Sequence, residues 1–189
     1  MNYAPIDPSG TMVLFADLQS GIVELGVTNE LALLRRAVAG LAKLAKLFDM
    51  ATIVTTAPGE GGEAVVISEI AAALGPLPQH MRKTTDAFTD AASRAAILAV
   101  NRRTLLISGV ATEIIVQHSA LSAAAQGFDV QIVLDACGGL SRRTEDAALR
   151  RLVQAGIVTT SVASIAGQLA GDFTQPNGGQ ALEVLYEVV

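Results

Sequence analysis

The chain has 189 residues, 13 Lys and Arg against 18 Asp and Glu for a net charge of −5, and 51% apolar residues. That apolar content excludes a disordered polar chain, and the single cysteine excludes a disulfide scaffold. The acidic balance, with no basic stripe interleaved with aromatics, argues against nucleic-acid binding by phosphate neutralisation.

The length suits a single domain over residues 1–189, with 1–10 as an N-terminal extension and 174–189 as a C-terminal tail. Charged residues make up only 16%, where an average soluble domain carries roughly 25%. Low charge in a chain of this size is what self-association to a homo-oligomer leaves when subunits cover part of each other's surface.

The opening MNYAPIDPSG is polar and lacks a basic region, so it does not read as a secretory signal. Residues 12–17 (MVLFAD) form an apolar run ending in a carboxylate, the pattern of a buried parallel strand. Leu31, Leu34, Val38, Leu41, Ala45 and Phe48 recur every three or four residues and predict an amphipathic helix, with Asn29 as its cap. Residues 51–56 (ATIVTT) predict the next strand, and Pro58 with Gly59, Gly61 and Gly62 a loop. These glycines are not a phosphate loop, because the GK[ST] ending is missing.

A helix is expected over 63–74, stopped by Gly75-Pro76, and a short extended segment over 79–84 carrying Lys83. Helices over 90–101, 113–126 and 144–155 then alternate with strands over 104–109, 129–135 and 157–160. Residues 163–171 read as helical. The tail over 181–189 alternates weakly and reads as an edge strand or an intersubunit arm. Residues 152–171 carry no charge, yet their Gln, Ser, Thr and Gly content reads as a strand and a short helix, not a membrane span. A cytoplasmic protein with no membrane partner is therefore expected, and the lone thiol fits a reducing compartment.

Short apolar strands alternating with helices predict an α/β fold: three layers, α/β/α, Rossmann-like, around a mostly parallel sheet of about six strands. Ligands bind such sheets at the carboxyl ends of the strands. Asp17 stands there, costly unless it meets a cation or donors, and Lys83 is the natural candidate. An Asp–Lys pair in a strand-end cleft suits proton transfer, and it also suits a buried structural ion pair. The segment SGVATEIIV ends a strand in a tight turn and starts a helix near Thr112, presenting backbone N–H groups to the same cleft.

FADLQSGI, RKTTDAF, GVATEIIV and ALSAAAQGFDVQIVLDACGG together resemble the isochorismatase-like hydrolase superfamily, the cysteine hydrolases, over about residues 11 to 173. The later SRRTEDAALRRLVQAGIVTTSVASIAGQLAGDF is most similar to an oligomeric subgroup. The resemblance implies a small-molecule substrate and an Asp, Lys and Cys site, mapping to Asp17, Lys83 and position 115. It also implies a cis peptide at Val110–Ala111, which helps aim the backbone N–H groups. Position 115 is Ile115, which has no lone pair and cannot form an acyl-enzyme.

Three readings follow. The site performs non-covalent hydrolysis with Asp17 as acid or base. Alternatively, the protein is a catalytically degenerate small-molecule-binding or structural oligomer. In the third reading Cys137, at another strand end, substitutes as nucleophile.

Gln19, two residues beyond Asp17, is placed to orient it, to meet a ligand, or to cap the following loop. Phe88 matches the family's aromatic after the Lys and reads as pocket wall or core. His118, one turn beyond Ile115, is placed at the cleft or in packing. Glu113 suits the helix start. Some members of the family hold zinc through an Asp and two His in the loop after the second strand. That loop here is TTAPGEGGEAV, and His80 and His118 are far apart in the chain, so neither metal nor cofactor is expected.

Overall fold

The computed structural model describes residues 5–59 and 64–189. Its strands are β1 (Thr11–Ala16), β2 (Ala51–Thr56), β3 (Gln79–Met81), β4 (Thr104–Val110), β5 (Asp129–Gly138) and β6 (Val158–Thr160). The helices are α1 (Leu31–Leu47), α2 (Ser68–Leu74), α3 (Ala91–Ala99), α4 (Gln117–Ala125), α5 (Arg142–Gln154), α6 (Val162–Ala170) and α7 (Pro176–Val188). A π-helical turn over Thr112–Val116 leads into α4.

All six strands run parallel in the order β3-β2-β1-β4-β5-β6. The order reverses between β1 and β4, so the cleft-forming switch point lies at their carboxyl ends. Ala16 is in register with both Thr55 and Gly109, which sets Asp17 beside Val110.

The central strand shows why this sequence makes a three-layer structure. Every residue of β1 is buried, and its side chains alternate between two cores. Val13 and Phe15 join Leu34, Val38 and Leu41 of α1 and Val162 and Ile165 of α6. Met12 and Leu14 join Ile97 of α3, Val116, Ala120 and Ala123 beside or in α4, and Leu152 of α5. Each large aliphatic side chain so buried contributes about 1.5–3 kcal/mol. A strand apolar at every position therefore requires a helical layer on both faces.

Three sequence expectations change. The tail is a helix, α7, packed on α1 and α6, and not an edge strand. Its buried Ala181 and Val184, with Leu185 and Val188 packed against the core, follow the 3.6-residue period that weak alternation obscured. Gly40 receives this helix: a Cβ there would lie 2.6 Å from Val188 Cγ1, which explains a glycine in mid-helix.

Asn29 does not cap α1. The N-cap is Glu30, without a side-chain hydrogen bond, while Asn29 Nδ2 donates to the Asp135 carbonyl at 2.7 Å. Its amide thus ties the loop after β1 to the end of β5. The helix expected over 63–74 begins at Ser68; Glu63, like Gly61 and Gly62, lies outside the described residues. The uncharged stretch 152–171 divides into the end of α5, β6 and α6, and no helix among the described residues is long and apolar enough to cross a membrane.

Candidate active site

A cleft of about 370 Å³ opens over the carboxyl ends of β1, β2 and β4. Asp17 and Arg82 are its charged floor, Ile115 and Val110–Ala111 form one wall, and Ile22, Leu25 and Leu140 form the apolar side.

Asp17 leaves β1 in the left-handed region, at φ 55°, a conformation that costs free energy in a residue with a Cβ. Its N–H donates to the Thr55 carbonyl at 3.0 Å, which fixes the turn. The residue is only 5% exposed. Oδ2 accepts a charge-assisted hydrogen bond from Arg82 Nη2, whereas Oδ1 is buried without a partner. Burial pushes the Asp17 carboxyl above its ordinary value, with the charge and hydrogen bond of Arg82 pulling the other way.

The cation that meets Asp17 is therefore Arg82, 3% exposed, and not Lys83. The reason is geometric. β3 ends at Met81, and Arg82 N–H still donates to the Thr56 carbonyl at 2.9 Å, so residue 82 continues the extended strand and turns into the sheet. Lys83 is the next residue along, exposed at the cleft mouth. Arg82 Nη1 also donates to the Thr84 carbonyl. Chemically the exchange matters: a lysine ammonium can give up and recover a proton, but a guanidinium remains charged.

Asp86 holds this segment in place. Its Oδ1 accepts from Phe88 N–H at 2.8 Å, and its Oδ2 from Ser122 Oγ at 2.5 Å. Ser119 Oγ accepts from Ala87 N–H at 2.9 Å. Sequence reasoning missed Arg82 and Asp86 as positioning residues. The signal was present in RKTTDAF, where either basic residue could have been the inward one.

Ile115 lies within the π turn, 1% exposed, and presents an aliphatic side chain to the cleft and to the core beneath α4. The Val110–Ala111 peptide is cis. Just before it, Gly109 approaches β1 so closely that a Cβ would overlap the Ala16 carbonyl oxygen. Glu113 turns away from the cleft and accepts from Leu140 N–H at 3.0 Å and Thr144 Oγ1 at 2.6 Å.

Other candidates lie outside the cleft wall. Gln19 is buried and exchanges two 2.9 Å hydrogen bonds with the backbone of Ala57, clamping the loop after β2. Phe88 is a core residue, edge-on to Phe128 with centroids 5.5 Å apart. His118 is half-buried on α4 and does not line the cleft. Cys137 does not line the cleft. It is 1% exposed among core residues, its Sγ lies 3.7 Å from the Ile107 carbonyl oxygen, and burial pushes its thiol up to about 12. Among the described residues, no three His, Cys, Asp or Glu side chains converge as a metal site would require.

Comparison with known proteins places the fold in a family. A family model described as the isochorismatase domain matches residues 11–164. The chain belongs to the isochorismatase domain family. Among its relatives, the probable hydrolase YcaC of Escherichia coli (strain K12) is 32% identical over 180 residues, covering 95% of this chain and 86% of that protein. The crystal structure of the E. coli YcaC gene product, described as an octameric hydrolase of unknown specificity, superposes with a TM-score of 0.90 at 31% identity. That match covers 98% of this chain and 91% of the other. YcaC from Pseudomonas aeruginosa, solved with hexane-2,5-diol and covalent acrylamide, gives a TM-score of 0.90 at 28% identity, covering 97% and 93%.

Proposed function

We propose that this isochorismatase-like hydrolase binds a small molecule in the cleft over Asp17 and works without a covalent thiol intermediate. The observation that carries this reading is Ile115: the side chain on the cleft wall, where the family resemblance expects a thiol, is aliphatic. The lone cysteine supports it, being buried elsewhere with its thiol held protonated. Covalent catalysis needs a nucleophile beside the scissile carbonyl, and neither residue supplies one. Proton transfer at Asp17 is the route that its place in the cleft suits. Its upward-shifted carboxyl suits a general acid acting on an acid-labile bond such as a vinyl ether.

A second reading, binding without turnover, is favoured by the ion pair. Arg82 occupies Oδ2, and a guanidinium cannot relay the proton onward. Both readings place the ligand in the same cleft. We also infer self-association of this chain, as its low charge and the exposed Leu25, Val27, Val153 and Phe173 suggest. The octameric description of the E. coli relative supports the same view.

A panel of amides, esters and vinyl ethers assayed with the wild type, Asp17→Asn and Ile115→Cys separates the possibilities. The non-covalent enzyme turns over a vinyl ether, loses this in Asp17→Asn, and shows no acyl adduct by mass spectrometry. The binding protein turns over nothing, yet is stabilised by a ligand. An acyl adduct on the wild-type chain would overturn both.

A further inference from the structure

We propose that the cleft selects a small carboxylate with an apolar body, and that Lys83 sets this preference. The proposal rests on the ligand-binding reading above and adds to it the charge class of the ligand.

Among the described residues, three ionisable side chains line the cleft: Asp17, Arg82 and Lys83. The first two neutralise each other at its floor, where Arg82 is engaged both by Asp17 and by the Thr84 carbonyl. Glu113, in the turn before α4, does not line the cleft and is turned to Leu140 N–H and Thr144. Lys83 makes no ion pair and no side-chain hydrogen bond among the described residues. Among the described residues that line the cleft, Lys83 is thus the one charged side chain not matched by another, and the nearby Asp90 carboxylate is engaged by Ser93 and by the Lys83 backbone N–H.

Much of the remaining lining is aliphatic, built from Ile22, Leu25, Ile114, Ile115 and Leu140. A carboxylate at the mouth meets the ammonium while its hydrocarbon body lies on that lining. A cationic ligand finds no spare carboxylate, because Asp17 is already matched by Arg82. A neutral apolar ligand gains the lining but leaves the ammonium unanswered. Lys83 stays partly solvated, so its contact orients and selects more than it tightens.

Hexanoate and hexanamide, equal in length and shape, serve as probes in titrations of the intact protein at neutral pH. Hexanoate should bind roughly fivefold tighter, as expected of one solvated charge-assisted hydrogen bond. The ratio should fall towards one in high salt. Lys83→Gln should bring the hexanoate-to-hexanamide ratio to about one, and Lys43→Gln, on the far helical layer, should not alter the ratio. Equal binding by the wild type, an unchanged ratio in Lys83→Gln, or no saturable binding of either probe overturns the proposal. An acyl adduct on the wild-type chain would instead overturn the non-covalent reading and leave this ratio intact, so the two failures are distinguishable.

Discussion

Replacing Arg82 by Met keeps most of the side-chain volume and removes the only partner of the Asp17 carboxylate among the described residues. Both residues are almost fully buried, at 3% and 5% exposure. Solvent cannot take over the lost contact, and both carboxylate oxygens are left without donors. Breaking a buried pair in this way costs about 3–5 kcal/mol, or roughly 6–20 °C in melting temperature for a chain of this size. The cost should depend on pH. Burial already raises the Asp17 carboxyl from its ordinary 3.8, and loss of Arg82 raises it further. A group whose folded-state value is raised contributes its stability below its unfolded value and loses it as pH rises through the folded one. The penalty from Asp17 is therefore largest at neutral pH and shrinks to about 1 kcal/mol near pH 4.5. Urea denaturation of the wild type and Arg82→Met across this range measures the difference directly. The double variant with Asp17→Asn should recover most of the loss at neutral pH. A loss under about 1 kcal/mol, or one that is flat with pH, would refute the buried-pair argument.

Other positions test the rest of the site. Gly109→Ala forces a Cβ into the Ala16 carbonyl and should destabilise by about 1–3 kcal/mol through overpacking, read from the denaturant midpoint. Asp86→Ala removes the acceptor for Phe88 N–H and Ser122 and should cost about 2–4 kcal/mol. Because Asp86 holds the segment carrying Arg82, amide exchange over residues 82–88 should also quicken. Cys137, with its thiol near 12, should be thiolate in about one molecule in ten thousand at pH 8. Iodoacetamide should accordingly label it only as fast as the protein unfolds, and rapid labelling of the folded chain would contradict its buried placement.

Much of the fold was legible in the sequence because parallel strands buried on both faces announce themselves. TMVLFA and TLLISG are apolar at nearly every position, and only a two-layer helical cover satisfies that pattern. The helix over 31–47 was equally clear from its spacing. The tail was not. With Tyr186, Glu183 and Glu187 between its apolar residues, α7 could be read with either period until α1 offered Gly40 as a groove.

At the site, the sequence by itself determined that the one cysteine stands at 137 and that an isoleucine stands at 115. It also put Asp17 at a strand end, because the apolar run stops there. Only the tertiary structure decided which basic residue answers that carboxylate. Arg82 and Lys83 are adjacent and equally capable by type, but successive side chains of an extended segment point to opposite sides. The hydrogen bond from Arg82 N–H to the Thr56 carbonyl fixes which side faces in. That single register choice buries a guanidinium against Asp17 and leaves an ammonium at the mouth of the cleft.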